Sequence, residues 1–140
     1  MDLKHAKEML LNGGYTCVLR RGEQTYTSTL RGVKPLVQWV ESDLNLRGFS
    51  AADKVVGKAT AYLYVLLGVG ALYAHVISKS ALAVLKENGI PVEYGTLVPH
   101  IINRAGDGIC PFEEAVMDIH EPGTAYTAIR AKMREMNITL

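Results

Sequence analysis

At 140 residues the chain has the length of one ordinary domain, enough to bury a hydrophobic core without disulfide or metal support. Hydrophobic residues make up 49% of it and charged residues 21%, a balance that excludes a disordered chain. The net charge of +1 gives no general attraction to nucleic acid or to an anionic membrane surface.

Residues 2–12 predict a helix with Leu3, Ala6, Met9 and Leu10 on one face, stopped by Gly13-Gly14. Residues 15–21 and 23–30 alternate around Arg21-Gly22-Glu23, a hairpin signal that puts Tyr15, Cys17 and Leu19 on one face. Residues 34–43 read as a helix opened by Pro35, with Leu36, Trp39 and Val40 inward. Ser50-Ala51-Ala52-Asp53 has the form of a helix start, with Ser50 as cap and Asp53 as the acidic residue three positions on. That helix would run to Leu67 and end at Gly68, placing Lys54 and Lys58 one turn apart.

Residues 59–78 contain no Lys, Arg, Asp or Glu, a length that would span a bilayer. Gly68-Val69-Gly70 interrupts the run, and the β-like residues 71–77 include His75, so a buried helix, turn and strand are expected instead. Ser78 then caps a helix over residues 79–88, stopped by Gly89, and residues 92–98 form a strand. After the loop Asn103-Arg104-Ala105-Gly106-Asp107-Gly108, Pro111 opens a helix through Ile119. Pro122-Gly123 breaks it before a last amphipathic helix over residues 124–136. The order α-β-β-α-α-β-α-β-α-α predicts a single α/β domain over residues 1–140, with a mixed sheet and helices on both faces. No apolar leader precedes it, and Cys17 and Cys110 form no Cys-x-x-Cys; reduced thiols in a soluble cytoplasmic protein are expected.

Three segments carry a family resemblance. Asp53-Lys54-Val55-Val56-Gly57-Lys58-Ala59, Val76-Ile77-Ser78-Lys79-Ser80 and Cys110-Pro111-Phe112-Glu113 together resemble a small uncharacterised prokaryotic family described as cytidine deaminase-like. The resemblance runs over most of the chain from the hairpin onward. It implies a three-layer cytidine deaminase-like fold and, since that family carries no established activity, no particular reaction.

Zinc deaminases place a His or Cys and a Glu at one helix start, and Pro-Cys-x-x-Cys at the next. Against that pattern Lys58 stands near the Glu position, and Ser78-Lys79-Ser80-Ala81 offers no cysteine. An ammonium group does not replace thiolate or imidazole ligands and repels a divalent cation. His5, His75, His100 and His120 are isolated, without HxH or HxxxH spacing, so neither a metal nor another cofactor is expected.

In an open α/β sheet, ligands bind beyond the carboxyl ends of the parallel strands. Ser78-Lys79-Ser80 would there offer amides, two hydroxyls and an ammonium to an anion, with Lys54 and Lys58 facing the same space. The plainer alternative is capping by Ser78 with solvated lysines. Arg104, beside Asn103, would clamp a phosphate or carboxylate; the alternative is an ordinary Gly- and Asn-rich turn. Cys110 precedes Pro111 at a helix start, where the dipole lowers a thiol pKa, unless it is simply a packed cysteine. Glu113 is the expected capping-box partner there, and Asp53 is expected to pair with Lys58.

The expected function is binding of an anionic or nucleotide-like small molecule on a deaminase-like fold without catalytic zinc, in a regulatory role. Asp53, Lys54, Ser78, Lys79, Asn103, Arg104 and Glu113 are the expected ligand contacts. The alternative is a metal-independent enzyme using Lys58 and Cys110 on a nucleotide-like or phosphorylated substrate. No nucleic-acid or membrane partner is expected, and the apolar helix faces leave room for a homodimer.

Overall fold

A computed structural model describes residues 2–103 and 105–140. Its elements in chain order are α1 (Asp2–Gly13), β1 (Cys17–Arg21), β2 (Gln24–Ser28), α2 (Lys34–Glu41), β3 (Ser50–Val56), α3 (Lys58–Leu67), β4 (Ala71–Ser78), α4 (Lys79–Glu87), β5 (Val92–Val98), α5 (Pro111–Ala115) and α6 (Pro122–Glu135). The strands form one mixed sheet in the order β2-β1-β3-β4-β5. β1 is antiparallel to both β2 and β3, whereas β3, β4 and β5 run parallel.

Period-2 alternation sends neighbouring strand residues to opposite layers. Val18, Ala52 and Tyr73 meet Ala6 and Leu10 of α1 on one face. On the other, Leu19, Ala51 and Leu72 join the main core with Leu63, Leu85 and Ile129 from the remaining helices. Helices therefore cover both faces of an α/β sheet.

Much of the local punctuation behaves as the sequence predicts. Arg21 pairs with Gln24 across the hairpin turn, where Gly22 has φ 60°. The Ser78 side chain accepts from the Ala81 amide at 3.2 Å and so caps α4. Residues 59–78 divide into α3 and β4 around Gly68 at φ 74°. Among the described residues no helix is long and apolar enough to cross a membrane.

The helix expected to start at Ser50 is overturned. Ser50–Val56 is β3, in the middle of the sheet between β1 and β4, and the helix begins only at Lys58 after Gly57. Ser-x-x-Asp imitates a capping box, but Ala51 and Ala52 are small because a strand covered on both faces has neither side free. Lys54 and Lys58 consequently lie on different elements instead of one helical turn apart, and Asp53 sits inside a strand. A second correction concerns Pro122, which opens α6 instead of breaking a helix. Its missing amide costs nothing in the first turn, and the Glu121 carboxylate caps α6 by accepting from the Gly123 and Thr124 amides. The helix at Pro111 is also shorter than expected, ending at Ala115.

Candidate functional site

Beyond the carboxyl end of β3 the chain leaves a cavity of about 900 Å3. It is walled by β3, the starts of α2 and α3, the segment leading into α5, and the C-terminal residues Met136 and Ile138. Most of the lining is apolar, and Leu30, Val55, Ile102 and Met136 are exposed hydrophobic side chains that all line it. Exposed hydrophobic side chains gathered around one hollow point to something that covers them.

Asp53 and Cys17 reach this cavity from neighbouring strands. They are register partners across β1 and β3, so their side chains lie on the same face. Tyr64, two turns into α3, comes down on the pair. Its hydroxyl donates to Asp53 Oδ2 at 2.6 Å and lies 3.0 Å from Cys17 Sγ, which leaves the thiol as the donor to the phenol oxygen. The Val55 amide donates to Asp53 Oδ1 at 3.2 Å. Burial pushes the Asp53 carboxyl up to about 7, against the hydrogen bonds from the Tyr64 hydroxyl and the Val55 amide, which lower it. Burial also raises the Tyr64 phenol and the Cys17 thiol well above their ordinary values. Of the three, Asp53 is the group that changes charge near neutrality.

The expected pairing of Asp53 with Lys58 does not form. Lys58 is only 6% exposed, and its Nζ donates to the Met117 carbonyl at 2.8 Å. Together with Ser80, His100, Glu113 and Met117 it encloses a second, smaller hollow of about 100 Å3, and Glu113 lines both hollows.

Glu113 also departs from its expected role. It does not cap its own helix; its Oε2 accepts from the Lys58 backbone N–H at 3.2 Å, across to the start of α3. Oε1 is buried with no hydrogen-bond partner among the described residues. Gly57 makes the fit possible, since a Cβ there would stand 2.7 Å from Glu113 Oε1 and 3.2 Å from Ile101 Cγ1. Gly57→Ala is therefore expected to push Glu113 off the Lys58 amide and lower stability by about 1–2 kcal/mol in chemical denaturation. Unchanged stability would mean that the carboxylate swings aside freely. The following residues, Ala59 and Thr60, line the large cavity and carry first-turn amides of α3, which have no intrahelical acceptor.

Of the residues singled out from the sequence, Asp53, Lys54, Asn103, Cys110 and Glu113 line the large cavity. Lys58 lines the small hollow, and Ser78 and Lys79 line neither. Arg104 lies outside the described residues. Asn103 closes its own turn: Oδ1 accepts from the Gly106 and Asp107 amides and Nδ2 donates to Asp107 Oδ1. Cys110 stands at the N-cap of α5 without capping it through its side chain. No group of three or more His, Cys, Asp or Glu among the described residues is placed to hold a metal ion.

The sequence does not single out Tyr64, Arg31, Lys34 or Cys17 as site residues, and Gly57 enters only within the segment that carries the family resemblance. A signal for Tyr64 was present, because a phenol inside an otherwise apolar helix needs an acceptor when buried.

The family model for DUF1893 (TM1506), a domain of unknown function, matches residues 5–133. The crystal structure of a DUF1893 family protein (TM1506) from Thermotoga maritima is similar to this chain at 28% sequence identity. The likeness covers 94% of this chain and 89% of that one, with a TM-score of 0.87. No curated protein matches the chain.

Proposed function

We infer, for a chain that belongs to the DUF1893 family, that the working surface is the cavity beyond β3 and that it binds a small, nucleotide-like molecule. One observation carries this reading. Buried polar groups, Asp53 and Glu113, converge with the free amides of Ala59 and Thr60 on a cavity whose other walls are apolar. Its volume is in the range that encloses most of a small ligand. Phe112, Ile101 and Val55 offer apolar surface to a planar body. Arg31 and Lys54, both exposed, and the half-buried Lys34 line the cavity and are the cations for a phosphate or carboxylate. The anion contact thus moves from Ser78-Lys79-Ser80 to these three residues.

The antiparallel hairpin, the three parallel strands and the helices on both faces support a cytidine deaminase-like fold in which no zinc ligands stand at the starts of α3 and α4. Two unpaired thiols fit a reducing cytoplasm. Lys58 and Cys110 line different hollows, which argues against a reaction needing both and favours a regulatory binding role.

Thermal-shift titration tests the reading. Nucleoside monophosphates are expected to raise the Tm more than the corresponding nucleosides. Replacing Arg31 and Lys34 together with Ala should remove that difference. No shift with any nucleoside monophosphate, or an undiminished phosphate effect in the double variant, would reject the assignment.

A further inference from the structure

We propose that the buried end of the ligand is a basic N–H donor, an amidine, guanidine or amine, received by the carboxyl groups of Asp53 and Glu113. The inference rests on the cavity reading above and names the chemistry of its inner end.

Both carboxyls line the cavity, and both are buried, Asp53 at 9% exposure and Glu113 at 5%. Neither makes an ion pair with any of the described residues. Among the described residues the ion pairs are Lys7 with Glu93 and Lys132 with Glu135, neither of which reaches the cavity. Buried carboxylates are ordinarily paired with a cation or satisfied by hydrogen bonds, because an unpaired buried charge is costly. Glu113 Oε1 has no hydrogen-bond partner among the described residues. Asp53 faces the Cys17 thiol from β1 and the Tyr64 phenol from α3, and accepts from the Val55 amide of its own strand. Lys34 from α2, Cys110 and Glu113 beside and on α5, and Lys54 on β3 line the same cavity, yet no cation among them pairs with Asp53.

The missing complement is therefore a cation or a set of N–H donors. A planar amidine or guanidine matches a carboxylate with paired hydrogen bonds, which a point charge does not. An anionic head would meet two carboxyls and gain nothing from them. The exposed Arg31 and Lys54 and the half-buried Lys34 leave the outer end for the ligand's anionic group, so the ligand is basic inward and acidic outward. Charge pairing needs ionised Asp53, so binding releases its proton to solvent at pH values below about 7 and tightens as pH rises through neutrality.

Benzamidine, benzamide and benzoate are suitable probes, followed by amide chemical shifts of Val55, Ala59 and Thr60 in two-dimensional NMR at about pH 6 and about pH 8. Benzamidine is expected to move these signals, more strongly at the higher pH, and benzoate is not. Asp53→Asn should weaken benzamidine about tenfold or more, and Glu113→Gln should weaken it as well, the same spectra showing that each variant is folded. Benzoate binding as well as benzamidine, or undiminished benzamidine binding in both variants, overturns the proposal. A nucleoside monophosphate titrated in parallel separates the two readings. If it binds where benzamidine does not, the basic head falls and the cavity stands; if neither binds, both fall.

Discussion

Asp53→Asn is expected to remove a large pH dependence of stability, lying between about pH 4 and about pH 7. The ordinary carboxyl value is 3.8, and burial in the folded chain pushes Asp53 up to about 7. Across that window the folded state holds a proton that the unfolded chain has released. Stability contributed by the protonated carboxyl is complete below the unfolded value and is lost as pH rises through the folded one. At about 1.4 kcal/mol per unit, the loss is on the order of 4 kcal/mol by mildly alkaline pH. Asn never ionises. Its single side-chain oxygen serves either the Tyr64 hydroxyl or the Val55 amide, so one of these two hydrogen bonds is lost at every pH, at a cost of about 1–2 kcal/mol. Urea denaturation at stepped pH should show the wild type weakening across the window and the variant nearly level, with the variant the more stable at about pH 8. Parallel curves for the two proteins would mean that Asp53 titrates at its ordinary value and is reached by water.

Tyr64→Ala should destabilise the protein by about 3–5 kcal/mol, as deletion of a large, fully buried aromatic ring does. The ring joins α3 to the sheet, and its removal also strips Asp53 of a donor and Cys17 of an acceptor. Tyr64→Phe separates these contributions by keeping the ring and deleting only the hydroxyl, at a cost of about 1–3 kcal/mol. The Tyr64 hydrogen bond lowers the Asp53 carboxyl, so Tyr64→Phe should also shift the pH of stability loss upward. Denaturation of both variants at stepped pH measures the two effects together. A Phe variant with wild-type stability and an unmoved pH profile would show that the hydroxyl is solvated instead of bonded to Asp53.

The sequence by itself determined the elements whose signals are local. Gly22 turns the hairpin, Gly68 ends α3 in the left-handed conformation, and Ser78 caps α4, each through a backbone preference or a bond within a few residues. It also separated the apolar run 59–78 into a helix and a strand. Local signals failed at Ser50–Val56, because Ser-x-x-Asp reads as a cap while the small size of Ala51 and Ala52 has meaning only once both faces of the strand are covered. The chemistry of the site was decided by tertiary structure. Cys17 meets Tyr64 from 47 residues away, Glu113 reaches the Lys58 amide across 55, and Lys58 spends its ammonium on Met117 across 59. A capping residue or a turn glycine is selected by neighbours in the chain, and its meaning can be read in a short window. A carboxyl near pKa 7, or one with an unanswered oxygen, gets its character from burial and from donors that arrive only when distant strands and helices come together.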